Sequence, residues 1–459
     1  MTGRKIHIKC FGCQMNKLDS SLVAAALRHA GFELVDKPAE ADAVVINTCS
    51  VREHAEARVY SHLGHLKHMK KTRPHMIVAV MGCMAQRLGG QLLAHEAVDL
   101  VVGPHQIPQV PDMLARALDG AAAPQIAVTE NIRTPDDPHS LHLLDAFEVE
   151  HDSDENHVKS QAFVRIMRGC NNFCSYCVVP YVRGPEISRD PTLIMEQIRK
   201  LADQGIRQIT LLGQTVNSYE YRSDGRTYRL ADLLEMAGEI DGIRWLRFVT
   251  SHPGKFDDSI LEAMAKLPKV CPYLHIPAQS GSDRVLKTMN RRYTAKQYLD
   301  LLAKARQIVP DIAIAGDFIV GFPGEAQEDF AETVDMVRQA RYKNIFVFKY
   351  SPRPGTQAEQ KMADSVPLEV KQRRNQELLD LQNEIAADDN RRFQGRILEV
   401  LVEGLSKKPH LNNADRPQLV ARTAADYIVV FNGPVQLTGR FARVRVTGTS
   451  SLTLFAEPV

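Results

Sequence analysis

Three cysteines stand within eight residues of this 459-residue chain, in Cys170-Asn171-Asn172-Phe173-Cys174-Ser175-Tyr176-Cys177. A closed structural zinc site takes four protein ligands, and this loop supplies three. Three thiolates so close together instead suit a 4Fe–4S cube whose fourth iron stays open for a ligand with chemistry to do. The rival reading is a structural zinc or redox triplet, and the rarity of this spacing in a chain with only eight cysteines speaks against it. Such a loop needs a rigid frame around it. An apolar run at residues 162–167 leads straight into the first cysteine, and regular strand–helix alternation follows.

Strands are expected at 208–212, 245–250, 273–277, 312–320 and 345–350, with helices near 192–203, 230–240, 257–265, 295–306 and 327–340. Six β/α units in this span fit a partial (β/α)6 barrel with its site at the carboxyl ends of the strands, where the cysteine loop falls. A long polar helical run over 366–393 is expected to lead out of the barrel.

The first 120 residues show a second alternation, with strands at 5–9, 43–47, 76–81 and 98–102 and helices at 19–29, 52–67 and 86–95. Short apolar runs separated by helices imply a doubly wound parallel sheet covered on both faces. The first three strands each run into a cysteine: Cys13, Cys49 and Cys83. Ligands gather at the carboxyl ends of strands in such sheets, so these thiols can converge although far apart in sequence. The competing reading is three unrelated buried cysteines. Cys10 reads as a small packed residue, and Cys271 falls at a strand entrance, the end opposite the chemistry; neither is given a role.

Past residue 391 the pattern changes to short strands at 397–402, 419–421, 427–431, 441–447 and 452–456, which suits a small β-barrel. Residues 391–459 carry ten Lys/Arg against five Asp/Glu, a balance that fits a polyanion such as RNA. Tyr427, Phe431, Phe441 and Phe455 are the aromatic side chains there that could stack on bases. Between Glu130 and Glu155 nine residues are acidic and one, Arg133, is basic, which reads as a solvated linker. No apolar run reaches membrane-spanning length, and no signal-peptide core opens the sequence, so the expected location is cytoplasmic.

The two cysteine sets, the partial barrel and the basic β-module together resemble the methylthiotransferases of the radical S-adenosylmethionine superfamily. The resemblance rests on Gly12-Cys13-Gln14-Met15-Asn16 with Asp19-Ser20, Asn47-Thr48-Cys49-Ser50-Val51-Arg52-Glu53, and Arg168-Gly169-Cys170 through Cys177-Val178-Val179-Pro180-Tyr181-Val182-Arg183-Gly184. His275-Ile276-Pro277-Ala278-Gln279-Ser280-Gly281-Ser282 and Asp317-Phe318-Ile319-Val320-Gly321-Phe322-Pro323-Gly324-Glu325 complete it. It implies an N-terminal cluster domain over 3–120, a linker over 121–155, a radical core over 156–390 and a TRAM RNA-binding domain over 392–457.

The resemblance also implies two 4Fe–4S clusters, an auxiliary one on Cys13, Cys49 and Cys83 and one on Cys170, Cys174 and Cys177 that cleaves S-adenosylmethionine to a 5′-deoxyadenosyl radical. The implied reaction places a methylthio group on carbon 2 of N(6)-dimethylallyladenosine at position 37 of tRNA, beside the anticodon. A ribosomal-protein aspartate and threonylcarbamoyladenosine in tRNA are the alternative substrates. Implied partners are the tRNA anticodon stem-loop, a low-potential electron donor such as flavodoxin or ferredoxin and iron–sulfur assembly proteins, acting on a monomer away from membranes. Tyr176 sits inside the cysteine loop, where its backbone can reach the adenine of S-adenosylmethionine. Polar groups on the strands and at their ends point into a barrel mouth, so Gln214, Asn217, Ser251, Gln279, Ser280, Asp317 and Tyr350 join it as the candidate S-adenosylmethionine contacts. Residues 319–321 could stack its adenine, and Arg183 and Arg189 are expected to meet tRNA phosphates.

Overall fold

The computed structural model describes residues 3–50, 53–120, 125–133, 138–151, 160–407 and 416–459. Val51, Arg52 and the acidic positions 136, 137, 152, 154 and 155 lie outside them. Six parallel strands form the N-terminal sheet, in the spatial order Glu33–Leu34, Lys5–Phe11, Ala43–Thr48, Ile77–Gly82, Leu100–Val102 and Gln125–Ala127. The four inner strands are those expected from their apolar runs. The two edge strands are too short and polar to announce themselves. Alternate residues of the inner strands serve opposite faces. Val44, Ile46, Val78 and Val80 pack beneath Val59, Leu63 and Leu66 of helix Glu53–Thr72. Val45, Ala79 and Met81 pack beneath Val23 and Leu27 of helix Gln14–His29 and Met113 and Leu114 of helix Val110–Leu118. Each such aliphatic side chain contributes about 1.5–3 kcal/mol of burial.

The central region is an arc of six parallel strands in chain order: Gln161–Arg165, Gln208–Leu212 and Trp245–Phe248, then Tyr273–His275, Ala313–Val320 and Asn344–Lys349. A parallel bridge between Leu246 and Val270 joins the two halves, helped by the Cys271 N–H donating to Leu246 O at 2.9 Å. Helices cover the outer face. Helix Pro191–Asp203 starts where Asp190 accepts from Thr192 N (2.7 Å), a cap worth about 1 kcal/mol, and buries Ile194, Ile198 and Leu201. A hairpin, Glu220–Ser223 with Arg226–Arg229, interrupts the alternation after the second strand; its Asp224-Gly225 turn takes positive φ at both residues.

Two expectations are corrected. The polar run near 366–393 forms helix Leu368–Asn390 and covers the last strand instead of leading away, with Asn375 donating to Val347 O (2.9 Å) and Gln382 to Tyr342 O (2.7 Å). The acidic stretch is, over Pro138–His151, a helix that buries Asp145 and Glu148. The physical reason is three buried arginines, Arg165, Arg168 and Arg189, which need carboxylate partners.

The C-terminal strands Ile397–Leu405, Gln418–Thr423, Ile428–Asn432, Thr453–Pro458 and Phe441–Thr449 close into a small barrel in that spatial order. It docks on the amino ends of the central strands. Trp245 packs edge-on to Phe441 (4.8 Å), Arg247 donates to Thr423 O (2.7 Å), and Lys343 donates to Asp426 Oδ2 (3.0 Å). Cys271 is buried in this interface, away from both cysteine sets. Of the four aromatic residues considered for base stacking, Tyr427 and Phe431 are core and Phe441 is committed to Trp245. Phe455 alone of the four is exposed. Among the described residues no helix is long and apolar enough to cross a membrane.

Candidate functional site

The Cys170 loop is shaped by backbone anchors at both ends. Gly169 has φ +68°, and a Cβ there would lie 1.8 Å from Pro185 O, so a larger residue cannot hold this entry. Cys170 N donates to Gly184 O (3.0 Å), Ser175 N to Met289 O (3.0 Å), and Ala358 N to Ser175 O (2.8 Å). Nitrogen donors reach two of the sulfurs: Asn172 Nδ2 lies 3.4 Å from Cys170 Sγ, and Arg291 Nη1 lies 3.4 Å from Cys174 Sγ. Thr215 Oγ1 stands 3.6 Å from Cys170 Sγ and also accepts from Asn172 (3.1 Å). Burial pushes the Cys170 and Cys177 thiols up.

The second set comes together at the carboxyl ends of three strands. Cys13 begins helix Gln14–His29, Cys49 follows strand Ala43–Thr48, and Cys83 opens helix Cys83–Leu88. Buried amides tie these ends together. Asn16 Nδ2 donates to Asn47 Oδ1 (2.7 Å) and Thr48 O (2.9 Å), Asn47 Nδ2 returns to Asn16 O (2.8 Å), and Thr48 Oγ1 donates to Met81 O (2.6 Å). A hydrogen bond from Cys49 and the charge of Arg183 push the Cys13 thiol down to about 6 against the opposing effect of burial. Burial pushes Cys83 up although Arg183 stands beside it. Cys10 is half-buried on its strand, and burial raises its thiol as well.

One interface carries both sets. Helix Gln14–His29 lays Met15, Leu18 and Leu22 against Phe163 and Leu212 of the first two central strands and Val249 just past the third. Val178 and Val182, just past Cys177, pack on Cys83. Arg183 Nε donates to Cys83 Sγ (3.2 Å) and Nη2 to Asp19 Oδ2 (2.9 Å), while Arg165 pairs with the other Asp19 oxygen. Arg183 and Arg189 are therefore buried ion-pair members, not the tRNA-facing residues expected. Arg189 is held by Asp145, Glu148 and Gln197.

The remaining candidates divide into four groups. Gln214 Oε1 and Ser251 Oγ are buried without a hydrogen-bond partner among the described residues. Gln214 adjoins Thr215, whose Oγ1 stands by Cys170 Sγ, and Ser251 adjoins Thr250, whose carbonyl accepts from Val216 N (3.0 Å). Tyr176 and Tyr350 pack around Phe322 with Ile319, and Gln279, at φ +74°, bridges to Phe318 through its backbone. Asn217 and Ser280 are already engaged. Asn217 exchanges both amide atoms with His252 N (2.7 Å) and O (3.0 Å), and Ser280 Oγ contacts Thr333 Oγ1 (3.3 Å) on the outer helix layer. Asp317 faces the arc's interior with His275 Nε2 at 3.2 Å; beside them Phe346 is 47% exposed. Within residues 319–321, Val320 belongs to the outer core and Lys371 fills the space over Gly321.

These donor sets fit iron–sulfur groups. Each is three thiols outside any disulfide, and N–H donors already point at three of the six sulfurs, as cluster-bound thiolates require. Gln214 Oε1 and Ser251 Oγ are buried polar atoms that a polar ligand would satisfy.

The Radical SAM superfamily model matches residues 164–337, Uncharacterized protein family UPF0004 matches residues 5–103, and the TRAM domain matches residues 391–459. A tRNA-2-methylthio-N(6)-dimethylallyladenosine synthase from Rhodopirellula baltica is 44% identical over 99% of this chain and 95% of its own length. Its namesake from Parabacteroides distasonis is 41% identical over 99% and 96%. The chain belongs to the tRNA-2-methylthio-N(6)-dimethylallyladenosine synthase family. The radical S-adenosylmethionine methyltransferase TsrM from Kitasatospora setae shares the fold, with a TM-score of 0.53 at 14% identity over 78% of this chain and 77% of that one.

In this synthase-family chain, sequence reasoning missed the residues that serve the sulfurs: Asp19, Thr215, Asn172 and Arg291. Asn172 lies inside the loop and Asp19 inside the first cysteine's local word, so both were in view. Arg291 is 117 residues from the cysteine it touches, and nothing local marks it.

Proposed function

We propose that this chain transfers a methylthio group to carbon 2 of N(6)-dimethylallyladenosine at position 37 of tRNA, beside the anticodon. The observation that carries this reading is the meeting of two three-cysteine sets across one interface, in a chain whose full-length relatives bear the synthase name. In this reading Cys170, Cys174 and Cys177 hold the cluster that binds S-adenosylmethionine, and Cys13, Cys49 and Cys83 hold a second 4Fe–4S cluster. When bound, the first supplies the electron for reductive cleavage and the second a place for the sulfur to be transferred.

The C–H bond at carbon 2 is neither acidic nor electrophilic, so the side chains have no proton to move there and act by positioning. Gln214, Ser251, Tyr176 and Gln279 border the S-adenosylmethionine end. Helix Gln14–His29 covers the interior of the first three strands, while Phe346 and the His275–Asp317 pair leave the interior of the last strands open to a base. Arg443, Arg445 and Phe455 on the outer face of the small barrel suit the tRNA backbone and an unstacked base. A low-potential electron donor, iron–sulfur assembly proteins, a monomeric state and a cytoplasmic location belong to the same reading. The ribosomal-protein and threonylcarbamoyladenosine alternatives are not favoured, because the full-length relatives carry the dimethylallyladenosine name.

Mass spectrometry of nucleosides from cells lacking this chain tests the proposal. The 2-methylthio derivative should disappear and N(6)-dimethylallyladenosine accumulate. Persistence of the derivative together with loss of a methylthio group from a ribosomal-protein aspartate would sink it.

A further inference from the structure

Arg183 belongs to the chain segment of one cysteine set and touches a sulfur of the other. It follows the short helix Val179–Val182 beyond Cys177, and its side chain crosses into the N-terminal domain. Nε donates to Cys83 Sγ at 3.2 Å, and Nη2 donates to Asp19 Oδ2 at 2.9 Å. Arg183 is 5% exposed and Asp19 fully buried. Asp19 is held from a second side by Arg165, on the strand that leads to the Cys170 loop, so it cannot swing away. The planar fork of a guanidinium lets one edge answer the carboxylate while Nε stays aimed at sulfur. Cys83 is also packed by Val178 and Val182, from the same segment as Arg183. The donor therefore keeps its place as long as the segment after Cys177 keeps its own, which Cys170 N bonded to Gly184 O (3.0 Å) secures.

We infer that Arg183 sets the reduction potential of the cluster held by Cys13, Cys49 and Cys83, with Asp19 as the residue that positions it. The inference rests on the two-cluster reading. A charge-assisted N–H to a cluster thiolate, together with a buried positive charge, favours the state that carries more negative charge. One electron enters from an external reductant, no bond to the protein breaks, and the donor makes that electron easier to accept. The chain thereby couples its two sites: the loop that binds S-adenosylmethionine carries the group that tunes the other cluster.

The test is an EPR-monitored redox titration of the full-length, anaerobically reconstituted protein with dithionite. The couple whose spectrum responds to added S-adenosylmethionine is assigned to the Cys170 set. Arg183→Met should move the other couple to lower potential and leave the responsive couple in place. Arg183→Lys, which keeps the charge but not the fork, should move it less in the same direction, and it decides the matter should Arg183→Met hold iron poorly. Unmoved couples in protein with a full iron complement overturn the inference, as does an equal shift of both. Wild-type protein with iron well short of about eight per chain overturns the two-cluster reading instead.

Discussion

The two cysteine sets reach similar chemistry by opposite routes. Cys170, Cys174 and Cys177 share one loop, and their geometry follows from a few backbone bonds and two positive-φ residues, Gly169 and Phe173. Cys13, Cys49 and Cys83 share nothing locally. They meet because three parallel strands end at one level and because the Asn16–Asn47–Thr48 network fixes those ends. A set written into one loop survives as long as the loop does. A set assembled from distant strands depends on the whole sheet, since the entropy of bringing its members together is offset only by the fold. The dispersed set should therefore be the more fragile to changes in packing.

The largest effect separates the two sets outright. Cys49→Ala should leave reductive cleavage of S-adenosylmethionine measurable, as 5′-deoxyadenosine release, while abolishing methylthio transfer. Cys174→Ala should abolish both. Equal loss in the two variants would mean that the dispersed set only holds the fold.

The next effect probes the carboxylates that join the regions. Glu148 is fully buried among Arg165, Arg168 and Arg189. Burial alone would raise its carboxyl, but the three guanidinium groups hold it down at about 2. A depressed carboxyl stabilises the fold above its unfolded value near 4.5, and that contribution fades as pH falls toward about 2. Glu148→Gln should cost roughly 3–5 kcal/mol at neutral pH, because it strands buried positive charge. Urea unfolding checks this, and the gap between variant and wild type should narrow below pH 4. A gap that is small at pH 7 would show that Asp145, with Asp19 on Arg165, is enough to satisfy the arginines.

A smaller change strikes the dispersed set alone. Gly82 has φ +98°, and a Cβ there would lie 2.6 Å from both Asn47 Oδ1 and Thr48 O. Gly82→Ala should cost about 2–3 kcal/mol and lower iron content by one cluster, leaving S-adenosylmethionine cleavage intact. Full iron with normal transfer would break the contrast between a rugged loop and a fragile assembly.

That contrast also explains what the sequence disclosed. The loop spacing, the six β/α units and the five short terminal strands are local patterns, and the structure contains each of them. Even the dispersed cysteines were legible, because each follows an apolar run that periodicity identifies. The side chains that serve the sulfurs were not. Arg183 has the look of a tRNA contact flanking the cysteine loop, and only the fold turns it inward to Asp19 and Cys83. The acidic stretch misled for the same reason. Burial of Asp145 and Glu148 depends on arginines well over a dozen residues further along the chain, Arg165, Arg168 and Arg189, and composition carries no trace of that pairing.

The smallest predicted effect distinguishes the surroundings of the two sets by pH. His252, on the Cys170 side, is held neutral: burial first, then the charge of Arg291, push its imidazole down to about 2. Its Nδ1 accepts from Gly254 N (3.1 Å), and its ring packs edge-on to Tyr293. A histidine depressed in the folded state binds its proton in the unfolded chain first. Its contribution is therefore complete above the unfolded value near 6.5 and declines as pH falls below it. Between pH 7.5 and 5.5 the loss should reach roughly 1.4 kcal/mol. Glu148 has not begun to titrate in that window, so mild acid should loosen the loop's surroundings before it touches the carboxylates that join the two regions. Urea midpoints of wild type and His252→Gln over this range measure the difference, with the wild type falling more steeply. Parallel slopes would mean that His252 takes up its proton as readily in the folded protein as in the unfolded chain, so that neither burial nor Arg291 holds it neutral.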